Sequence, residues 1–537
     1  VAPFKKSVRS LAGIAGIVAI ATLISKVMGL VRQQAIAAVF GTGPVADAYN
    51  FAYVIPGFLL VLLGGINGPF HSAMVSVLSR RDEEEAAPLV ETITTLLGVL
   101  LLLVTLVLFV FAEPLLDLVA PGLSRSPEGL QARAIAVQQL RVMAPMALLA
   151  GLIGIGFGTL NAADHYWLPS LSPALSSITV LLALGILGFG LGDQILAPEF
   201  ALMGGLALAW GTLAGALLQW LVQLPAQGQA GLGRLRLRFE VQRPGVQEVL
   251  KIMGPATFSS GMLQINVYTD LFFASFIPQA ASALGYASLL ALTPLGILSN
   301  MILVPFLPIF SRLANPIHWP ALKDRIRQAL MFTAIAMLPL GALAIALAKP
   351  IVRLVYERFN FDQGATTLVA SVLIPYGLGM FVYLGRDILV RVFYALGDGN
   401  TPFRISLINI VLNGVLDYGL SQAFGAPGLV LATVGVNIIS MGLMLWLLHQ
   451  RLNGLPLVAW SQPLLGLGLC SVAAGIVAWG VHWGTQQLWV TPGILVQLLQ
   501  FILASGGGLG VFILLASQLQ LPELNLFLDR LRQRLIP

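Results

Sequence analysis

Cysteine is nearly missing from this sequence: Cys470 stands alone among 537 residues. A single thiol excludes an intramolecular disulfide framework and any cysteine-based metal cluster. Charge is also scarce, at 10% of residues, against about a quarter in an average soluble domain. No GxxxxGK[ST] loop occurs, so the chain carries no phosphate-cradling nucleotide site of that kind. Ser-His-Asp and metallohydrolase patterns are absent as well. GDGNTP, Gly397 to Pro402, is a turn whose glycines need no phosphate to explain them. The net charge of +6 does not signal nucleic-acid binding, because the basic residues sit in short loops between apolar runs.

Apolar residues are what the chain has in excess, 57% of the total, with a mean hydropathy of +0.89. The fold class this predicts is an all-α polytopic membrane protein. A span needs about 20 mostly apolar residues. About fourteen fit, near 9–38, 47–78, 88–112, 134–160, 166–191, 201–224, 247–276, 282–312, 322–347, 365–396, 402–421, 427–449, 462–483 and 493–516. The basic N-terminus and the apolar run after it have the outline of a signal peptide. That run continues past Lys26 and Arg32 without a small-residue cleavage site, so we read it as a retained first helix. Of the 29 Lys and Arg, 19 fall in segments on one side of the spans and five on the other. Positive charge marks the cytoplasmic side, which predicts that both termini are cytoplasmic. LPELNLFLDRLRQRLIP at the C-terminus and residues 349–362 read as interfacial amphipathic helices.

An internal repeat is visible at an offset of 236 residues. Phe40 pairs with Phe276, Pro69-Phe70 with Pro305-Phe306, and Phe157 and Leu160 with Phe393 and Leu396. Six helices separate the copies, so they share one orientation and form parallel repeats, a transporter design. The expected organisation is an N-terminal lobe at 1–225, a basic cytoplasmic linker at 226–246, a second six-helix lobe at 247–450, and two helices with an amphipathic tail at 451–537.

Five cations fall inside the expected spans: Lys26, Arg32, Arg141, Arg386 and Arg391. The acids there are Asp47, Asp270, Asp387 and Asp417. A charge at bilayer depth costs roughly 2.5–3.5 kcal/mol even on the lenient insertion scale and usually faces a cavity or a partner. Near a helix end, snorkelling to the headgroups is the plainer explanation, and for Arg141 and Arg391 the two weigh equally. Lys26 and Arg32 lie six apart in one helix and cannot easily reach the same interface. With Asp47 they point to a polar cavity for something anionic. The guanidinium fork and the ammonium point charge suit a phosphate or diphosphate better than a cationic drug. Asn413 and Asp417 are four apart and share a helix face. With Asp270 and Thr433 they offer hard oxygen ligands, suited to sodium, or to a proton on one Asp, as a coupling ion. Buried hydrogen-bonded polar residues are the alternative. His71 and Asn67 read as packing groups.

SKVMGLVRQ (Ser25 to Gln33), FGTGPVADAY (Phe40 to Tyr49), NGPFHSAMVSVL (Asn67 to Leu78) and FYALGDGNTPFRI (Phe393 to Ile405) resemble the MurJ/MviN family. These are lipid II flippases within the multidrug/oligosaccharidyl-lipid/polysaccharide exporter superfamily. The resemblance covers nearly the whole chain. It implies a transporter rather than an enzyme, in the bacterial cytoplasmic membrane, with a central cavity, alternating access and a groove for a polyprenyl tail near the last two helices. It implies an undecaprenyl-diphosphate-linked substrate, no bound cofactor beyond a sodium or proton coupling ion, and membrane lipids and cell-wall synthesis proteins as partners. Arg32 falls on a family cavity arginine, Lys26 on a position basic in relatives and Asp47 on a family aspartate. Asp270, Asn413, Asp417 and Thr433 fall near sodium sites of some members. The chain departs from the family in having no cation in GFLLVLLGGING or YASLLALTPLG, where relatives carry arginines. Arg386 or Arg391 would then compensate. The rival transporter functions are export of another polyprenyl-diphosphate glycan and cation-coupled multidrug antiport. A lipid-linked glycosyltransferase would need an acidic or His cluster at an aqueous boundary, and RDEEE, Arg81 to Glu85, looks like a solvated turn.

Overall fold

The computed structural model describes residues 11–524 apart from 66–67, 82, 234, 263–264 and 490–492. Lys5, Lys6, Arg9, Asn67, Arg234 and the amphipathic tail from 525 onward, with Arg530, Arg532 and Arg534, lie outside the described residues. Most of them are helical, and none lies in a strand. It opens with α1 (Leu11–Phe40), α2 (Pro44–Gly64), α3 (Pro69–Leu78), α4 (Glu83–Val110) and α5 (Ala112–Val119). There follow α6 (Pro127–Met143), α7 (Met146–Ala162), α8 (Trp167–Leu171), α9 (Pro173–Leu191), α10 (Ala201–Leu221) and α11 (Gln223–Gln229). The middle holds α12 (Pro244–Met262), α13 (Ile265–Ala274), α14 (Ala280–Arg312), α15 (Trp319–Ala346) and α16 (Ala348–Tyr356). Last come α17 (Gln363–Ala395), α18 (Asn400–Phe424), α19 (Ala426–Arg451), α20 (Leu457–Leu488) and α21 (Ile494–Gln518).

Twelve segments among the described residues are long and apolar enough to cross a membrane, or thirteen if one bent pair counts as a single span. Fourteen is therefore not reached there. The expected helix at 247–276 divides into α12 and α13 on either side of residues 263–264. Two other expected helices are broken. The stretch 47–78 becomes α2 and α3, because Gly65 is extended and Pro69 starts a new helix without needing a donor. The stretch 134–160 becomes α6 and α7, bent by 44° beside Pro145.

By packing the chain divides into two units, Val1–Ser282 with Arg358–Asn360, and Ala283–Glu357 with Phe361–Pro537. The first unit is cored where α2, α6, α7 and α10 meet, around Phe51, Ile135, Leu140, Phe157 and Leu208. In the second, α15 packs on α17 and on α20, and Met331, Leu467, Ala474 and Phe512 form the seam with α21. Of the repeat-related residues, Phe157 in α7 and Phe393 in α17 are both fully buried. α16 turns Ala348, Val352 and Tyr356 inward at a four-residue spacing and leaves its cations at the margin, where Arg353 pairs with Glu357 at 3.1 Å.

The GDGNTP turn is closed by its own side chain. Asp398 accepts the Thr401 N–H at 3.0 Å and its hydroxyl at 2.8 Å, and pairs with Arg451. Burial pushes this carboxyl up, but those donors outweigh it and hold it below the ordinary carboxylate range. Gly397 supplies the left-handed step, with φ at +73°.

Contact between helix backbones is closest at glycines. A Cβ at Gly154 of α7 would fall 1.8 Å from the Leu63 carbonyl oxygen of α2. One at Gly377 of α17 would fall 2.8 Å from the Gly341 oxygen of α15. Gly154→Ala and Gly377→Ala should each lower stability by about 1–3 kcal/mol through overpacking. Gly419→Ala, whose Cβ meets open space, should not. Thermal unfolding of the detergent-purified protein separates the three, and equal melting of all variants would refute the close-packing account.

Candidate functional site

Lys26 and Arg32 occupy one helix but different faces. Six residues separate them by about 9 Å along the axis and about 120° around it. Arg32 shares its side of α1 with Ser25, whose hydroxyl donates to the Ser170 carbonyl at 3.1 Å, and with buried Ile36. It is half-buried, and its enclosed Nε has no hydrogen-bond acceptor among the described residues. Its charge is felt at Tyr53, which stacks on Tyr49 with ring centroids 5.6 Å apart. Lys26 is exposed, at the edge of an outward apolar stripe of Ile20, Leu23, Ile24, Val27 and Val31.

Asp47, in the first turn of α2, is buried and fully engaged with backbone. Its two oxygens accept the N–H groups of Gln279 and Ser282, each at 2.8 Å, at the start of α14. Thr42, in the turn before α2, donates to the Gln279 side chain at 2.8 Å, and its carbonyl accepts from the Ser282 hydroxyl at 3.3 Å. Asp47 thus satisfies donors that a helix N-terminus leaves open. None of the ion pairs among the described residues joins it to Lys26 or Arg32.

In the second unit, Arg386, Asp387 and Arg391 lie in the last third of α17, all half-buried. Arg391 donates to the Leu303 carbonyl of α14 at 3.4 Å. Asp387 lies within electrostatic reach of both arginines. The enclosed Nε of Arg386, like that of Arg32, has no acceptor among the described residues. Two guanidiniums, one in each unit, therefore hold an unmatched N–H in a confined setting, where an anionic oxygen is the natural complement. Arg141 differs, since it pairs with Glu113 at 2.9 Å.

Three of the four expected ion ligands come together. The Asn413 amide donates to Asp417 Oδ2 at 2.7 Å, and the Thr433 hydroxyl of α19 donates to Asn413 Oδ1 at 3.5 Å. Both α18 residues are buried. Asn409, one turn earlier and also buried, accepts from Ser440 at 2.7 Å. It extends the polar face to three residues, and its four-residue spacing from Asn413 was the signal for it. Asp270 lies in α13, in the first unit. No group of three or more His, Cys, Asp or Glu among the described residues has the arrangement of a metal site. His71 bonds to Asn161 at 2.6 Å as a packing group.

The sequence model of the family described as Lipid II flippase MurJ matches residues 36–500. The chain belongs to this family. It is 59% identical over 531 residues to a probable lipid II flippase MurJ from Synechocystis sp., covering 98% of each chain. It is 30% identical to the lipid II flippase MurJ of Burkholderia cenocepacia, over 85% of this chain and 88% of that one. The fold matches a solved lipid II flippase MurJ in an inward closed conformation, with a TM-score of 0.73 at 23% identity, over 94% of this chain and 98% of that one. It also matches an inward-facing multidrug resistance MATE family transporter of the MOP superfamily, with a TM-score of 0.61 at 14% identity, over 83% of this chain and 99% of that one.

Replacing Asp47 with Ala should leave the Gln279 and Ser282 N–H groups without acceptors, at a cost of about 1–3 kcal/mol. Amide hydrogen exchange at 279–282 should speed up in Asp47→Ala and stay unchanged in Arg32→Gln. Unchanged exchange in both would refute the capping role.

Proposed function

We propose that this chain is a flippase that carries lipid II from the cytoplasmic to the outer leaflet of the bacterial cytoplasmic membrane. The observation that carries this is the 59% identity, across 98% of both chains, to a probable lipid II flippase MurJ. The reaction moves a diphosphate across the membrane and makes or breaks no bond, so the task of the protein is to lower the cost of the charged headgroup at depth. Arg32 supplies a fork-shaped donor in the first unit and Arg386 one in the second, each with an enclosed N–H that lacks an acceptor among the described residues, and phosphate oxygens match a guanidinium of either kind with bidentate bonds. Lys26 draws the headgroup toward α1, and Arg391 supports Arg386 in place of the arginines that relatives carry in other helices. The 236-residue repeat and the transporter fold support alternating exposure of the bound headgroup to the two leaflets. Both termini face the cytoplasm in this proposal, on the strength of the loop cations.

Sodium is the coupling ion that the oxygen set of Asn413, Asp417 and Thr433 suits best. Asp417 supplies the charge, and the Asn413 and Thr433 groups beside it supply neutral oxygens. Added sodium should raise the melting temperature of the purified wild type, and Asp417→Asn should abolish that rise. A rise with every monovalent cation alike, or an equal rise in the variant, would exclude this site.

The function itself is tested by depleting the protein in its host and measuring lipid II exposed on the outer face, with rescue by variants. Wild type should restore exposure. Arg32→Ala should lose about nine-tenths or more of it while still reaching the membrane, as expected when a charge-assisted contact worth about 1.5–3 kcal/mol is removed. Arg32→Lys should restore part of the loss. Normal lipid II crossing without the protein, in a host lacking another flippase, would overturn the substrate and favour a different polyprenyl-linked glycan.

A further inference from the structure

The end of α1 is closed by a residue from far along the chain. A helix leaves its last four carbonyls without partners inside it. In α1 these belong to Ala37, Ala38, Val39 and Phe40. The turn that follows answers two of them. Gly41, with φ at +55°, donates its N–H to Ala37 at 2.8 Å, and Gly43 donates to Phe40 at 3.1 Å. Pro44, next in line, has no N–H to give. Asn360 answers the other two. Its backbone N–H donates to the Ala38 carbonyl at 3.0 Å, and its side-chain amide donates to the Val39 carbonyl at 2.8 Å. The end of α1 is thus fully matched, half of it by a residue 321 positions beyond Val39.

Arg358–Asn360 pack with the first unit, whereas Glu357 and Phe361 on either side of them belong to the second. Those neighbours have partners of their own. Glu357 pairs with Arg353 at 3.1 Å and accepts the Thr366 hydroxyl at 2.8 Å. Phe361 is buried, with its ring centroid 5.5 Å from those of both Tyr286 and Tyr356. Asp362 caps α17 by accepting the Ala365 N–H at 2.8 Å. Between these anchors Phe359 sits at φ +51°, a left-handed conformation that is an outlier for a bulky side chain. Its side chain is 80% exposed, so burial does not offset the strain. The two Asn360 bonds hold it in place, and Asn360 is itself exposed. Two hydrogen bonds within reach of water contribute about as much as one such residue costs. Docked and released forms of this segment therefore lie close in free energy.

We infer that residues 358–360 are a reversible cap on α1, docked in the state seen here and released in a second state in which water takes over the Ala38 and Val39 carbonyls. Asn360 supplies both bonds of the docked state, and Phe359 stores the strain that favours release. The use of such a cap rests on the alternating exposure proposed above, which needs contacts that can be made and broken in every cycle. The cap itself does not require that the cargo be lipid II.

Double electron–electron resonance on the full chain in nanodiscs tests it, with no substrate present, so the result is independent of the lipid II reading. Nitroxides are placed on Phe359→Cys and Leu23→Cys in a Cys470→Ser background. Phe359 and Leu23 are both exposed, and Leu23 lies about 24 Å along α1 from Val39. This labelled parent should show two distances, one for each state. Asn360→Ala should lower the ratio of docked to released about fivefold, the worth of one neutral hydrogen bond. Asn360→Asp, which sets a carboxylate against the carbonyl end of a helix, should lower it at least as far. In the unlabelled wild type, which needs no substitution, the amide of residue 360 should be protected from hydrogen exchange, and Asn360→Ala should lose most of that protection. A single distance in the parent and both variants, an unshifted ratio in both variants, or an unprotected amide at 360 in wild type would each overturn the cap.

Discussion

Inside a bilayer, backbone N–H and C=O groups have no water to bond with, so each must be satisfied by the chain itself. That constraint explains why the described residues are helical and why the departures from helix carry dedicated partners. The start of α14 presents open donors, and Asp47 is spent on two of them. At the GDGNTP turn, Asp398 does the same for the start of α18. Where helices come closest, glycines at Gly154, Gly341 and Gly377 bring backbone against backbone, which replaces the hydrophobic driving force that lipid removes.

Once the backbone is satisfied, the charges left over stand out. Arg141 has Glu113, Arg133 has Asp117 and Arg238 has Glu91. Against that background, the enclosed Nε atoms of Arg32 and Arg386 have no hydrogen-bond partner among the described residues. Under the proposed function, a transported diphosphate would need these donors for only part of a cycle. A permanent carboxylate partner would make release costly.

The fold class was legible because long apolar runs leave few alternatives, and the pairing of Asn413 with Asp417 followed from helical spacing alone. Thr433 came with them because α19 follows α18 after a single glycine. Breaks inside runs were harder to place. GGINGP and Pro145 are visible as letters, but whether a proline kinks a helix or ends it depends on neighbours that re-satisfy the backbone. Asp47 was singled out as an acid at depth beside Lys26 and Arg32, yet its hydrogen-bond partners lie 232 and 235 residues away, beyond any local pattern. The stretch 226–246 was read as a basic cytoplasmic linker from its composition. In the structure Arg238 pairs with Glu91 of α4, while Leu235, Arg236, Leu237 and Phe239 are all exposed.

The polar face of α18 also bears on how the chain is made. Asn409, Asn413 and Asp417 occupy successive turns of a helix whose best window reaches a mean hydropathy of only 1.2, against 2.0 for α19. An aspartate at the centre of a lone helix opposes insertion by about 2.5–3.5 kcal/mol. The next helix, reached through Gly425 alone, supplies partners for the two asparagines on that face, Thr433 for Asn413 and Ser440 for Asn409. The unit that the translocation machinery can hand to the lipid is therefore the hairpin, and the short glycine turn keeps the two halves from arriving separately.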